Sequence, residues 1–413
     1  MKTNTVKGTN DYLPSQVELR DYLQSVILDT YTSHGFERIQ TPILEDIENL
    51  DKSEGGENLN LIFKVLKRGE KLSEAIDGGH WKENELADMG LRYDLTLPLC
   101  RYYASNRAKL ASPAKFIQMD RVYRAERPQK GRLREFTQCD IDIIGSTSNS
   151  CEIELIDTTA TALLGIGIKN FTVKINDRRL LKNVLLTAGF LEDQLDSVCI
   201  TIDKFDKIGE DGVRAELTDK GFDATAIQKM IDIFAKLPMD LADVESYVTD
   251  QEALENVKTI MDAVRTISNG QYRIVFDLSL VRGQGYYTGT IFEVASDDFK
   301  GSIAGGGRYD NLIGKFIGES IPAVGFSIGF ERIFAILTDA GFKVPGKKKI
   351  ALLFDAGNTV AAIQKANELR AEYDVCLYEK PKKVGKLLNR LEEQGLAGFY
   401  QLENAEAIKF FGE

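Results

Sequence analysis

Between Lys115 and Gly145 the chain reads KFIQMDRVYRAERPQKGRLREFTQCDIDIIG, and this stretch decides the fold. Two extended runs flank Arg127-Pro128-Gln129-Lys130-Gly131, a turn-rich and basic loop, which predicts a long antiparallel hairpin. In the second run Leu133, Cys139, Ile141 and Ile143 fall on odd positions, and Arg134, Gln138, Asp140 and Asp142 on even ones. Successive strand residues point to opposite faces, so one face packs on a core and the other makes a polar floor.

Outward from the hairpin, Leu19, Leu23, Val26 and Ile27 recur at helical spacing from Pro14 to His34, ended by Gly35. His34 sits where a capping role is expected. Phe36 to Leu44 reads as a short extended segment whose Pro42 suits a sheet edge, with a dimer interface as a possible use. A strand is expected at Phe171–Ile175 and a helix at Asp177–Gly189. Residues 191–270 read as an inserted helical module without a chemical motif. Strands return at Arg273–Phe276, Thr288–Val294 and Ala323–Ile328. A glycine cluster at Gly305, Gly306 and Gly307 lies between the last two, and a helix follows over Phe330–Leu337. Residues 341–349, with a proline and three successive lysines, read as a linker. From residue 350 to 413 helical and extended runs alternate, which predicts a small α/β domain with a partly parallel sheet.

The 413 residues call for two or three domains. No apolar run approaches the roughly eighteen residues of a membrane span, and the amino terminus carries no recognisable export signal. Five scattered cysteines argue against structural zinc or a disulfide framework and for a reducing cytoplasm. With two histidines, His34 and His80, a histidine triad or a multi-histidine metal site is nearly excluded. The net charge of -11 excludes a surface-wide nucleic-acid coat, though not a local basic site.

Such a site is concentrated in the hairpin, where Arg121, Arg124, Arg127, Lys130, Arg132 and Arg134 interleave with Tyr123 and Phe136. A polyanion is the natural guest. Arg282 stands in a glycine-bearing bend, Leu280 to Tyr287, and Arg332 opens a helix after Gly325-Phe326-Ser327-Ile328-Gly329. A helix amino terminus already attracts phosphate. No P-loop or dinucleotide fingerprint is present, so three separated arginines imply a different phosphate cradle.

Taken in order, these segments resemble a class II aminoacyl-tRNA synthetase, and specifically the histidyl-tRNA synthetase family. Residues 35–43 are similar to that class's first motif at a dimer interface, 116–145 to its second and 325–332 to its third. Arg92-Tyr93-Asp94-Leu95-Thr96, Arg282 to Gly289 and Ala304 to Asp310 resemble the family's own signatures. The resemblance implies an α+β catalytic domain over 1–340, with a six- or seven-stranded antiparallel sheet flanked by helices. It implies ATP and Mg²⁺, L-histidine and tRNA(His) as ligands, and a homodimer. By the same resemblance Arg124 contacts the α-phosphate, Arg282 presses on it from the opposite side, Arg332 holds the far end of the triphosphate and Glu126 lies near adenine. The amino-acid ammonium falls to Asp94, Thr96 and Gln138. The imidazole falls to Asp142, Tyr287 and Tyr309, with Tyr286 in the same histidine-binding set, and the tRNA acceptor end to Arg127, Gln129 and Arg132.

The chemistry agrees with a histidine-poor chain. A carboxylate attacking the α-phosphorus is already ionised, so no general base is required. The barrier comes from joining two anions, which preorganised arginines lower. A buried acid for the ring rejects apolar amino acids by leaving polar groups unpaired. Two features depart from the family. Gln284-Gly285 stands where Leu-Asp is usual, and the domain at 350–413 is about two thirds of the expected length, which bears on anticodon recognition. The competing function is the non-catalytic regulatory subunit of ATP phosphoribosyltransferase, a histidine sensor that has no need of the ATP arginines.

Overall fold

A computed structural model describes residues 1–52, 61–127, 132–281, 287–404 and 407–412. The chain divides into two compact units, Met1–Phe342 and Lys343–Glu413.

The first unit is built on an eight-stranded sheet. Its spatial order is Glu37–Arg38, Ala114–Tyr123, Glu135–Ile144, Ala323–Gly329, Phe299–Arg308, Thr290–Ser296, Phe171–Asp177 and Arg273–Phe276. The hairpin pairs in register from Ala114 opposite Ile144 to Tyr123 opposite Glu135. Six strands run antiparallel in the middle, as the fold class requires. The count exceeds six or seven because a short strand joins each edge by parallel pairing. Parallel neighbours need a long crossover. Between Phe171–Asp177 and Arg273–Phe276 that crossover consists of helices, among them Arg178–Ala188, Ala224–Phe234 and Gln251–Ser268.

Behind the sheet the odd-numbered residues of the second hairpin strand are core from Cys139 onward, whereas Leu133, expected on the same face, precedes the strand and lines the cleft described below. Cys139, Ile141 and Ile143 are buried, on the side where helices Pro14–Ser33 and Ser150–Gly165 pack. The first of these helices buries Leu19, Leu23, Ile27 and Tyr31, one stripe at four-residue spacing. His34 caps it: its amide reaches the Thr30 carbonyl, and ring Nδ1 lies 2.8 Å from the same oxygen.

Two elements differ from expectation. Gly305, Gly306 and Gly307 lie inside the strand Phe299–Arg308 rather than in a separate cluster. Glycine normally weakens a strand, but here a Cβ on Gly306 would stand 2.0 Å from the Gly325 carbonyl, and one on Gly307 would stand 2.7 Å from that of Thr290. Close backbone approach is what demands glycine. A small sheet of Leu44–Asp46, Ala87–Leu91 and Lys64–Leu66 was not anticipated, its strands being three to five residues long.

The second unit has a four-stranded sheet in the order Asp374–Glu379, Lys349–Phe354, Gly398–Gln401, Lys409–Phe410, with parallel pairing except at the last strand. Leu353 packs with Leu387 and Leu391, while Leu352 and Phe354 pack with Ala362 and Ala366. Alternate residues of one strand therefore bury against different helices, Val384–Glu393 and Thr359–Leu369. Among the described residues no helix is long and apolar enough to cross a membrane.

A buried ion pair ties sheet to helix in the first unit. Arg308 donates from Nε and Nη2 to the two oxygens of Glu152, at 2.7 and 2.9 Å, and from Nη1 to the Ser146 carbonyl at 3.0 Å. Replacing Glu152 by Ala strands a buried guanidinium, a change that costs about 3–5 kcal/mol. The expected outcome is a lower urea midpoint for the first unit's transition, followed by intrinsic fluorescence, with a smaller loss for Glu152→Gln.

Candidate active site

The polar floor comes from register. Along two adjacent central strands Gln138 pairs with Gly329, Asp140 with Ser327 and Asp142 with Gly325. On the far side Gly305 stands opposite Ser327 and Gly307 opposite Gly325. Each acidic or amide side chain thus faces residues with little or no side chain. A Cβ on Gly325 would lie 2.0 Å from Asp142 Oδ1.

Above this floor opens a cleft of about 590 Å³ lined by Arg124, Glu126, Arg132, Gln138, Tyr287 and Arg332, among others. Two of the three expected phosphate arginines therefore share one cavity, although more than two hundred positions separate them in sequence. Arg124 Nε donates to the Tyr93 carbonyl at 3.1 Å, and its guanidinium lies 5.0 Å from the Phe136 ring centre. These contacts orient it without neutralising its charge. Glu126 accepts from Arg132 at 3.4 Å. Arg332 stands in the first turn of helix Phe330–Asp339 and donates to the carbonyl and hydroxyl of Ser302.

A second group lies deeper. Tyr309 donates its hydroxyl to Asp142 Oδ1 at 2.6 Å, and both residues are buried. Asp94 accepts from the Leu97 amide at 3.1 Å, capping the helix that begins at Thr96. Burial pushes the Asp142 carboxyl up to about 7, against the Tyr309 hydrogen bond, and the Asp94 charge adds to the rise. Burial also raises Asp94, opposed by its amide bonds and by Arg124. Asp140 is raised as well, by burial and then by Asp142, with the Ser327 hydrogen bond opposing. Three carboxyl groups thus share a site short of positive charge, which is the electrostatic signature of a pocket for a cationic ligand.

Arg127 is exposed, outside the cleft lining. Gln129, Arg282, Gln284, Gly285 and Tyr286 lie outside the described residues. His80 is more than half exposed, 3.6 Å from Glu85, and takes no part in the site. Among the described residues no group of three or more His, Cys, Asp or Glu is placed to hold a metal ion.

Three supporting arrangements escaped the reading of the sequence. Arg92, 1% exposed, donates to the carbonyls of Thr41 and Arg121 at 2.8 and 2.9 Å and pairs with Asp120 at 2.8 Å. It bolts the 35–43 segment to the hairpin. Arg20 from the leading helix grips Glu331 at 2.7 and 2.9 Å, beneath the rings of Tyr12 and Phe330. Glu331 also accepts from the Thr137 amide at 3.2 Å, fixing the helix start that carries Arg332. Asp140, noted only as part of a polar face, is 5% exposed with Oδ1 lacking a partner among the described residues.

Comparison with known proteins bears on what binds here. Residues 8–333 match the family model described as histidyl-tRNA synthetase. A histidine–tRNA ligase from Leifsonia xyli subsp. xyli is 39% identical, covering 95% of this chain and 94% of its own length. The histidyl-tRNA synthetase of Nostoc sp. PCC 7120 superimposes with a TM-score of 0.79 at 28% identity, over 97% of this chain and 91% of that one. A Bacillus halodurans C protein described as an ATP phosphoribosyltransferase regulatory subunit/histidyl-tRNA synthetase shares the fold at 20% identity and a TM-score of 0.77, over 97% of both chains.

The raised Asp142 carboxyl fixes the sign of a pH effect. Its folded value, about 7, lies above the unfolded carboxylate value of 3.8, so the folded state holds the extra proton between them. The folding stability it contributes is complete below the unfolded value and is lost as pH rises through the folded one. Asp142→Asn is expected to flatten the stability decline of the ligand-free protein between about pH 4 and about pH 7, measured by urea midpoints across that range.

Proposed function

Because this chain belongs to the histidyl-tRNA synthetase family, we propose that it is a histidine–tRNA ligase, activating histidine with ATP to histidyl-adenylate and transferring it to the 3′ end of tRNA(His). The observation that carries the reading is the meeting of Arg124 and Arg332 in one cleft above the buried Asp142–Tyr309 pair.

In this reading the triphosphate lies between the two arginines. Arg124 takes the α-phosphate, Arg332 the far end, and Glu126 lies beside adenine. The substrate carboxylate attacks the α-phosphorus, the bond to the β-phosphate oxygen breaks and pyrophosphate leaves. Charge grows on the α-phosphate oxygens, and a guanidinium already held by a carbonyl and a ring has little reorganisation to undergo. Arg282 is assigned the opposite side of that phosphate by the family resemblance alone. Mg²⁺ belongs to the nucleotide substrate here, and no step depends on where it binds.

Histidine binds with its ammonium toward Asp94, Thr96 and Gln138 and its ring toward Asp142, Tyr287 and Tyr309, with Tyr286 added by resemblance. Asp142 is the selective group. An apolar side chain would leave both it and Tyr309 unpaired in a buried site, which discriminates by about 10⁴-fold or more without editing. In the second step the tRNA terminal ribose takes the acyl group and AMP leaves, with Arg127, Gln129 and Arg132 assigned to the acceptor end by the family resemblance alone.

The assignment includes a homodimer through residues 35–43, where Ile43 and the adjoining Leu44 are exposed at 39% and 47%. The residues from 350 onward form an anticodon-binding-like domain, and the place of action is the cytoplasm, in keeping with cysteines that are all free. The regulatory-subunit alternative is disfavoured by the named relatives and by the Arg124–Arg332 cleft, which a histidine sensor does not need.

Purified protein is expected to catalyse histidine-dependent exchange of pyrophosphate into ATP. Arg124→Ala should lower kcat by about 100- to 1,000-fold, the scale of one transition-state donor. Intact histidine binding with no exchange in the unmutated protein would move the assignment to the regulator. Charging of tRNA(His) is measured separately and tests the second step.

A further inference from the structure

The polar face beneath the cleft carries one acidic side chain that no assignment above uses. Asp140 points to the same face as Gln138 and Asp142, because residues two apart on a strand share a face. It is 5% exposed, and although the Ser327 hydroxyl bonds its carboxyl, Oδ1 has no hydrogen-bond partner among the described residues. Gln138 Oε1 is buried and unpartnered in the same sense. Two adjacent acceptors without donors call for a ligand that brings several N–H groups and a positive charge. An orphaned buried carboxylate is costly unless something fills that need.

Position along the strand says which end of the ligand it meets. Asp142 is committed to Tyr309 by the 2.6 Å hydrogen bond. Asp140 stands between Gln138 and Asp142 on this face, opposite Ser327, and the charges of Asp142, Asp94 and Arg124 all act on it, that of Asp142 most strongly. With Asp142 engaged by Tyr309, the neighbouring acceptor still without a donor is Gln138 Oε1, so a donor shared with Asp140 is expected on the Gln138 side.

We propose that Asp140 is a further specificity-determining residue, a direct acceptor for the α-ammonium of the amino-acid substrate alongside Gln138. The inference rests on reading the site as a histidine site. An ammonium has three donors. Asp94 already spends oxygen capacity on the amides that open its helix, so a second carboxylate completes the shell and ties selection to a free α-amino group.

The test uses the full-length chain in the pyrophosphate exchange assay, with two competitive probes. Histidinol keeps the ammonium and ring but lacks the carboxylate, and 3-(imidazol-4-yl)propionate keeps the ring and carboxylate but lacks the ammonium. Asp140→Asn preserves shape and an acceptor for Ser327. Its expected effect is a rise of about 10- to 100-fold in KM for histidine and in the histidinol inhibition constant, the range of one charged hydrogen bond. KM for ATP should stay within about twofold on the same reasoning, and the propionate inhibition curve should superimpose on that of the unmutated protein. A general loss of structure would move all four readouts together. Inhibition by both probes weakening in parallel, or an unchanged KM for histidine, overturns the inference. Asp140→Ser is run beside it, and if neither variant folds, Asp140 is a fold determinant and the inference is equally overturned. Should the unmutated protein neither exchange with histidine nor bind histidinol, the histidine reading itself fails and takes this inference with it. Normal exchange in both proteins removes only the role of Asp140.

Discussion

The site depends on a steric bargain between two neighbouring strands: one carries Gln138, Asp140 and Asp142, and the other faces them with Gly329, Ser327 and Gly325. Carboxyl groups survive in a sheet interior only where there is room for a partner. The glycines provide that room, and Gly305 and Gly307 extend it across the next strand. Everything the cleft does follows from this floor, since the arginines above it need an anion and the acids within it need a cation. An amino acid joined to a nucleotide phosphate satisfies both.

The walls are held by charges that make no contact with the cleft's proposed guests. Arg92 locks the 35–43 segment to the hairpin, Arg20 locks Glu331 and hence the helix bearing Arg332, and Arg308 on Glu152 fixes the chain one residue before Tyr309. Buried ion pairs seldom add net stability against their desolvation cost. Their value in this molecule is directional, because a bidentate guanidinium fixes orientation as well as distance. The cleft is thereby shaped before any ligand arrives, which is the condition for electrostatic preorganisation.

Much of this was legible in the sequence, and the reasons are local. The hairpin announced itself by strict alternation around a basic turn, and the leading helix by one apolar stripe closed at Gly35. The pairing of Asp142 with Tyr309, 167 positions apart, has no local signal and was reached only through resemblance to a family. The glycine-bearing strand Phe299–Arg308 was unreadable from propensity, since its glycines answer to the carbonyls of other strands. The sequence marks Arg92 only as part of a family signature and Arg20 not at all, because arginine is ordinarily a surface residue. The small sheet over residues 44–91 has strands too short to carry a period.

The interlock of Gly325 with Asp142 also bears on descent. Under the proposed function, giving residue 325 a side chain sets its first methyl group on an Asp142 oxygen, so the acid must turn from Tyr309 or be replaced by a smaller residue, and either change gives up the proposed partner of the ring. The two positions are therefore tied, and a change of preference at one calls for a change at the other.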